Sequence, residues 1–144
     1  MIESINPYTS EKVYEVQEFN AVEIENAIEL ADQQYQSWRQ NSFFERAVLM
    51  KAAGAELREN IKQYAATITK EMGKPITESI AEIEKCAKLC DYYALNAEKQ
   101  LEDKQIDTEA YKSYVSYEPI GVVLAVMPWN YPFWQVFRFA VPAL

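Results

Sequence analysis

Histidine is absent from the 144-residue sequence, and cysteine and glycine are rare, with two and three copies. Without histidine, no Ser-His or Cys-His catalytic pair can be assembled from these residues. Because the three glycines lie far apart, the sequence holds neither a GxGxxG loop nor a GxxxxGKS/T loop for binding phosphate. Several common kinds of enzyme site are therefore excluded within this chain.

Basic charge and long apolar runs are scarce as well. Fourteen basic against twenty-two acidic residues give a net charge of -8, and no basic cluster is placed to follow a phosphate backbone. No apolar run reaches the roughly 18 to 20 residues of a membrane-spanning helix. The opening "MIESINPYTS" has neither the positive start nor the apolar middle of a secretory signal. We therefore expect no nucleic-acid or membrane partner and a cytoplasmic location.

The two cysteines, Cys86 and Cys90, are four residues apart and share one face if this part of the chain is helical. A metal site would need further ligands, and histidine is not available to supply them. We therefore predict that both are free thiols of a buried core, and we predict no metal site.

Apolar residues recur every three or four positions over much of the chain, which predicts amphipathic helices. Two helix starts carry the signature of a capping box, Asn20 with Glu23 and Ser42 with Glu45. Short joints between the helices indicate an antiparallel arrangement. The predicted helices cover residues 21–39, 42–72 and 75–98.

The joints and the first residues contain turn signals. Gly73 can end the second helix in the left-handed conformation, and Pro75 suits the first turn of the third.

The opening stretch "INPYTSEKVYEVQEF" has a turn signal and an imperfect alternation of apolar residues, which predicts a short two-strand excursion. Charged runs such as "ESIAEIEK" are interpreted as solvated helix faces without a function.

The last third of the chain changes character. Alternating residues predict a strand over 111–118, and the uninterrupted apolar run "GVVLAV" predicts a strand over 121–127 that is buried on both sides, as in a parallel sheet. A turn and a helix over 132–141 follow, starting at Pro132. Strand, turn and helix form half of a βαβ unit, and no second parallel strand follows. We therefore expect an α/β fold in which N-terminal helices lead into a Rossmann-like parallel sheet, truncated within a longer protein.

The stretch "VMPWNYPFWQVFRF" (126–139) holds the residues best suited to chemistry. Asn130 lies between the predicted strand and helix, where ligands bind in open α/β sheets. Its side-chain amide can donate to an oxygen that gains negative charge, whereas an asparagine before an aromatic-proline pair is also a good helix cap. Both interpretations stay open from the residues alone.

The helix after Asn130 has two unlike faces. Arg138 could bind a carboxylate bidentately, or it could form a salt bridge with one of the acidic residues. One face carries Tyr131, Trp134, Gln135 and Arg138, whereas the other carries Phe133, Phe137, Ala140 and Leu144. The first face is typical of a pocket for a small polar molecule, and the second is typical of a core.

Three blocks together resemble the N-terminal part of the aldehyde dehydrogenase superfamily. They are "EMGKP" at 71–75, "YEPIGVVLAVMPWNYPF" at 117–133 and the closing "VPAL". The similarity extends over the whole chain, and "NYPFWQVFR" is most similar to the bacterial succinate-semialdehyde dehydrogenase branch. The resemblance implies that residues 1–144 are the N-terminal part of a cofactor-binding domain, with the catalytic domain outside this chain.

The resemblance also implies roles for individual residues. Asn130 matches the asparagine whose amide stabilises the oxyanion of a thiohemiacetal, and Arg138 matches a clamp for the distal carboxylate of the substrate. The backbone that borders the nicotinamide of NAD or NADP matches Val126, Met127, Pro128 and Trp129. The face that lines the aldehyde tunnel matches Tyr131, Trp134, Gln135 and Arg138.

Other features of the family are missing from this sequence. Its nucleophilic cysteine and general-base glutamate lie in motifs that are absent here, and neither Cys86 nor Cys90 matches by context. The resemblance implies an NAD(P)-dependent aldehyde dehydrogenase that acts on succinate semialdehyde and forms a homodimer or homotetramer when complete. The alternatives are a dehydrogenase for another aldehyde, and a non-catalytic helical fragment or interaction module. The isolated piece should expose a large apolar surface at "GVVLAV" and the last helix.

Overall fold

A computed structural model describes residues 1–144, which begin with a β-hairpin. Strand β1 (Ile2–Ile5) pairs antiparallel with β2 (Lys12–Val16). Asn6 shapes the turn between them, because its side-chain oxygen accepts hydrogen bonds from the amides of Tyr8 and Thr9 at 2.9 and 3.2 Å. The two-strand excursion predicted for this stretch is therefore confirmed.

Five helices make up most of the remaining structure. They are α1 (Ala21–Trp38), α2 (Phe43–Glu59), α3 (Ile61–Met72), α4 (Ile76–Gln100) and α5 (Pro132–Ala143). Both predicted capping boxes are present, Asn20 with Glu23 and Ser42 with Glu45, and in each pair the two residues bond to one another's backbone amides. None of these helices is both long enough and apolar enough to cross a bilayer.

The predicted continuous helix over 42–72 is wrong, because the chain breaks at Asn60 between α2 and α3. Asn60 leaves helical geometry, with φ −103° and ψ 18°. Its side-chain amide donates to the backbone oxygen and the carboxylate of Glu56, at 3.4 and 2.7 Å. Asparagine competes in this way with the hydrogen bonds of the helix, which hydrophobic spacing does not report.

The joint between α3 and α4 is tight. Gly73 ends α3 in the left-handed conformation, with φ 71°, as predicted. Pro75 lies at the N-cap of α4, one position before the first turn that the sequence predicts. A β-carbon on Gly73 would lie only 3.0 Å from a ring carbon of Pro7, so the tip of the hairpin packs directly on this joint. The hairpin is thereby anchored to the helices.

Helix α4 lies at the centre, where it contacts α2, α3 and α5. Its approach to α2 is close, because a β-carbon on Gly54 would lie 3.2 Å from the backbone oxygen of Ala87. Only 12 of 144 residues are buried, so the core is a narrow seam along α4 and its neighbours. The central cluster consists of Leu57, Ile68, Ile83, Cys86 and Ala87.

The buried face of α4 differs from the predicted stripe. Ile76 and Ile80 remain 44% and 36% exposed, whereas Ser79 and Glu82 are buried at 0% and 4%. The interpretation of "ESIAEIEK" as a solvated face is therefore wrong for two of its polar residues. These two polar side chains are buried because each has a partner there: the hydroxyl of Ser79 lies 3.1 Å from that of Thr69, and the carboxylate of Glu82 accepts from Lys74.

The strands predicted in the last third are mostly absent. The predicted strand over 111–118 is reduced to β4 (Tyr114–Val115), which pairs antiparallel with β3 (Lys104–Gln105). The predicted strand over 121–127 does not form, because no residue of this chain pairs with it. A parallel strand exists only as part of a ladder. The two sheets present are each two-stranded and antiparallel, so the parallel sheet of the predicted fold does not form within these residues.

Residues 119–128, which we call the unpaired segment, make no backbone-to-backbone hydrogen bond. The side chains of Leu124 and Val126 are 90% and 86% exposed. The expected apolar surface at "GVVLAV" is therefore confirmed. Such a surface on a protein marks an interaction site.

We expect Ile83→Ala to lower the free energy of unfolding by about 2 to 5 kcal/mol, because Ile83 is fully buried and truncation leaves a cavity. Ile80→Ala on the same helix is the matched control and should cost under about 1 kcal/mol, since this side chain is partly exposed. Urea unfolding measures both changes. Equal costs would show that α4 buries a different face.

Candidate active site

Asn130 lies in the turn that precedes α5, and its side chain is exposed. The N-cap position of α5 is Tyr131, and no side chain of the turn itself caps the helix. Asn130 makes no side-chain hydrogen bond within the chain, so the capping interpretation is not realised. Its amide is free to donate to a bound molecule.

A residue distant in sequence caps α5 instead. The backbone amides of Phe133 and Trp134 both donate to Oε1 of Glu82 in α4, each at 3.0 Å. These amides belong to the first turn of α5, where helical donors lack partners within the helix. A carboxylate is favoured there by the helix dipole. Glu82 therefore fastens the start of α5 to the middle of the core.

The second oxygen of Glu82 is also occupied. Oε2 accepts from Nζ of Lys74 at 2.5 Å, and the two side chains are only 1% and 8% exposed. Lys74 belongs to the "EMGKP" stretch, at the joint between α3 and α4. A buried ion pair is tolerated only when its hydrogen bonds are satisfied, and both oxygens of Glu82 are used. The pair thus joins three helices at one point.

Two lysines lie over the faces of aromatic rings at the start of α5. Nζ of Lys74 lies 3.6 Å from the ring centroid of Tyr131, and Nζ of Lys85 lies 3.6 Å from that of Trp134. Both contacts have cation–π geometry. Trp134 also packs against the core cluster. The prediction that Trp134 belongs to a pocket-lining face separate from the core face of α5 is therefore wrong in part, since Trp134 packs on the core.

The core side of α5 is otherwise as predicted for its aromatic residues. Phe133 and Phe137 pack on the core cluster, and their rings stack at 6.3 Å between centroids. The ring of Tyr64 in α3 lies 5.4 Å from that of Phe133. Of the remaining two residues of that face, Ala140 is half-buried and Leu144 is 50% exposed.

Arg138 is exposed on α5 and forms no ion pair or hydrogen bond within the chain. The salt-bridge interpretation is therefore not realised among these residues. Gln135 is half-buried one turn earlier. Long side chains of a helix generally point toward its N-terminus, which is the end that bears Asn130. The free amide of Asn130 thus lies in the turn directly before the helix that carries the free guanidinium of Arg138.

The four residues predicted to border a cofactor lie at the end of the unpaired segment and in the turn after it. Val126 and Trp129 are 86% and 78% exposed, Met127 is half-buried, and Pro128 is exposed. Their backbone makes no hydrogen bond to the rest of the chain's backbone. A flat molecule could therefore lie against this backbone without displacing an internal contact.

Cys86 and Cys90 are free and fully buried, as predicted. Burial raises the pKa of Cys86 to about 12, and the nearby charge of Glu82 acts in the same direction. Burial also raises the pKa of the Cys90 thiol. Neither thiol is suited to act as a nucleophile, because the thiolate is the reactive form.

Lys74 and Glu82 were not identified from the sequence. A signal was present, because Glu82 follows Ser79 by three residues and precedes Cys86 by four, so it shares their buried face. An acid in phase with buried cysteines indicates a buried carboxylate. Its partner across a helix joint could be found only from the fold.

The sequence of the whole chain is similar to those of known dehydrogenases. The sequence model described as the aldehyde dehydrogenase family matches residues 1–144. The probable succinate-semialdehyde dehydrogenase [NADP(+)] of Synechocystis sp. is 45% identical over 143 residues, which are 99% of this chain and 32% of the relative. The succinate semialdehyde dehydrogenase [NAD(P)+] of Escherichia coli is 40% identical over 98% of this chain and 30% of its own length.

A solved structure shares the fold. The succinic semialdehyde dehydrogenase from Streptococcus pyogenes in complex with NADP+ superposes with a TM-score of 0.93 at 32% identity. The match covers 98% of this chain and 31% of that chain. This chain thus spans about a third of the length of the relatives it matches, and the predicted fold class is confirmed by a solved example.

We expect Cys86 and Cys90 to resist alkylation by iodoacetamide in the native protein. The pKa of Cys86 is raised from 9.0 to about 12, so its thiolate population at pH 8 falls by about a thousandfold. Mass spectrometry of the peptide that contains both residues should show no label before unfolding in urea and full label after it. Rapid native labelling would contradict the burial of these thiols.

Proposed function

The chain belongs to the aldehyde dehydrogenase family, and we propose that it is the N-terminal part of the cofactor-binding domain of an NAD(P)-dependent succinate-semialdehyde dehydrogenase. Two relatives that match nearly all of the chain carry this activity in their names. The observation that supports the substrate most directly is the unpaired Arg138, eight residues after the unpaired Asn130.

The proposed reaction oxidises the aldehyde carbon by two electrons. A thiolate adds to the carbonyl, the carbon then loses hydride, and water hydrolyses the resulting thioester to the carboxylate and the free thiol. A bound nicotinamide dinucleotide, NAD or NADP, supplies the acceptor for the hydride. The thiol would come from elsewhere in the complete protein, because both cysteines of this chain are buried. The general base would come from elsewhere as well, because the motif that carries the family's general-base glutamate is absent from this sequence.

Asn130 would act on the oxygen of the aldehyde. That oxygen gains negative charge when the thiolate adds, and again when water adds to the thioester. A side-chain amide can donate to it without changing its own protonation. The exposed and unpaired amide of Asn130, at the start of α5, supports this role.

Arg138 would bind the carboxylate at the other end of the substrate. Seven residues separate it from Tyr131, a rise of about 10 Å along the helix, and its side chain would extend back along that distance. Beside a tunnel that excludes water in the complete protein, a guanidinium without an internal partner would require an anion. Tyr131, Trp134 and Gln135 would supply the wall between the two polar ends.

The nicotinamide would lie along Val126, Met127, Pro128 and Trp129. The exposure of this backbone and its lack of internal hydrogen bonds support the assignment. We also propose that the complete protein is cytoplasmic and forms a homodimer or homotetramer. The hairpin of β3 and β4 supports the assembly, because its four residues are exposed and pair only with each other.

We expect Asn130→Ala in the full-length protein to lower kcat by about a hundredfold to a thousandfold, the usual effect of removing one oxyanion donor. Asn96→Ala is the matched control, since Asn96 is a half-buried asparagine of α4 whose side chain bonds only to the backbone of Tyr92. Steady-state oxidation of succinate semialdehyde measures both. An unchanged kcat for Asn130→Ala would remove the oxyanion role, and no oxidation by the unsubstituted protein would leave a non-catalytic module.

We expect Arg138→Ala to lower kcat/KM for succinate semialdehyde by about ten- to a hundredfold, because a charge-assisted hydrogen bond to the carboxylate is lost. Butanal has the same carbon chain without the carboxylate, so its kcat/KM should change less than about threefold. Arg39→Ala is the control for loss of an exposed arginine. Equal losses for the two aldehydes would support the alternative, a dehydrogenase for an uncharged aldehyde.

A further inference from the structure

We propose that Glu82, held by Lys74, is a positioning residue that fixes Asn130 at the reacting oxygen. The proposal rests on the proposed function, and it assigns a role in that reaction to two residues that do not touch the substrate. It starts from the only ion pair of the chain in which both side chains are almost fully buried.

The contacts of this pair converge on the residues next to Asn130. Glu82 accepts from the amides of Phe133 and Trp134, both at 3.0 Å. Lys74 bonds to Glu82 and places its ammonium 3.6 Å from the ring centroid of Tyr131. Tyr131, which directly follows Asn130, is thus held by Lys74, and the first turn of α5 is held by Glu82.

The turn has few other attachments. Asn130 forms no side-chain hydrogen bond, and Trp129 is 78% exposed. The preceding unpaired segment makes no backbone-to-backbone hydrogen bond, and its Pro119 carbonyl, eleven residues before Asn130, accepts one from the hydroxyl of Tyr35 at 3.0 Å. Phe133 and Phe137 pack on the core and locate the helix as a body. Apolar packing of this kind tolerates sliding and rotation better than two hydrogen bonds to one carboxylate oxygen do. The orientation of the turn therefore depends on Glu82.

Stability alone does not account for the pair. Burying a lysine and a glutamate carries a desolvation cost that their attraction often only balances, and apolar residues of similar size would be as stabilising. What apolar residues could not supply is an acceptor for two amides at a fixed place. An oxyanion donor must lie within about 3 Å of the oxygen, and a displacement of about 1 Å can cost a hundredfold in rate.

The test is a double-mutant cycle in the full-length protein, combining Glu82→Gln with Asn130→Ala. If Glu82 acts through Asn130, Glu82→Gln should lower kcat by about ten- to a hundredfold in the native background, but by less than about threefold when Asn130 is already alanine. KM should change little in both. A merely structural role would lower kcat by the same factor in the two backgrounds.

Asp91→Asn is the matched control, because Asp91 also lies on α4 and pairs with Arg58 but forms no hydrogen bond to α5 or the turn. It should leave kcat unchanged. Hydrogen exchange supplies a second measurement. Mass spectrometry of the peptide over residues 129–136 should show faster exchange at the amides of Phe133 and Trp134 in Glu82→Gln, and the native rate in Asp91→Asn.

Glu82→Gln leaves Lys74 buried without a counter-charge and can reduce folding. The double variant Lys74→Met/Glu82→Leu removes both charges together with the acceptor and would replace it in the cycle, with the same expected coupling to Asn130→Ala. Losses that multiply, or unchanged exchange at the two amides, would overturn the role of Glu82. An unsubstituted protein that oxidises no aldehyde would instead overturn the proposed function.

Discussion

The carboxylate of Glu82 is the point at which the separate parts of this structure meet. One of its oxygens holds Lys74 at the joint of α3 and α4, and the other holds the first amides of α5. Without this acceptor, two amides and an ammonium would be buried without partners, each at a cost of roughly 1 to 3 kcal/mol or more. The attachment of the start of α5 to the joint between α3 and α4 therefore depends on one side chain.

Local features of the fold could be predicted from the sequence because their causes are local. The capping boxes, the left-handed Gly73 and the start of α5 each depend on residues within a few positions of one another. The break at Asn60 is also local, but its cause is a side-chain hydrogen bond that competes with the helix and leaves the apolar spacing unchanged.

The non-local features could not be predicted from spacing. Glu82 and Lys74 meet across a helix joint, and their amide partners in α5 lie more than fifty residues further on. The strand expected over 121–127 has suitable residues but no neighbour to pair with. For the site, the sequence predicts the amide of Asn130 in the turn before α5 and the guanidinium of Arg138 on that helix, and the structure shows both without internal partners. Glu82, which holds the start of α5, was not identified from the sequence.

The unpaired segment has a consequence for synthesis. In the longer protein proposed above, a parallel partner for residues 119–128 would be translated after them. At roughly 5 to 20 residues per second, this apolar segment would then remain unpaired for seconds during elongation. Pro119 and Pro128 stand at its two ends and have no amide hydrogen to donate. A foreign strand could therefore extend its pairing only between these prolines, and residues in such positions limit aggregation during synthesis.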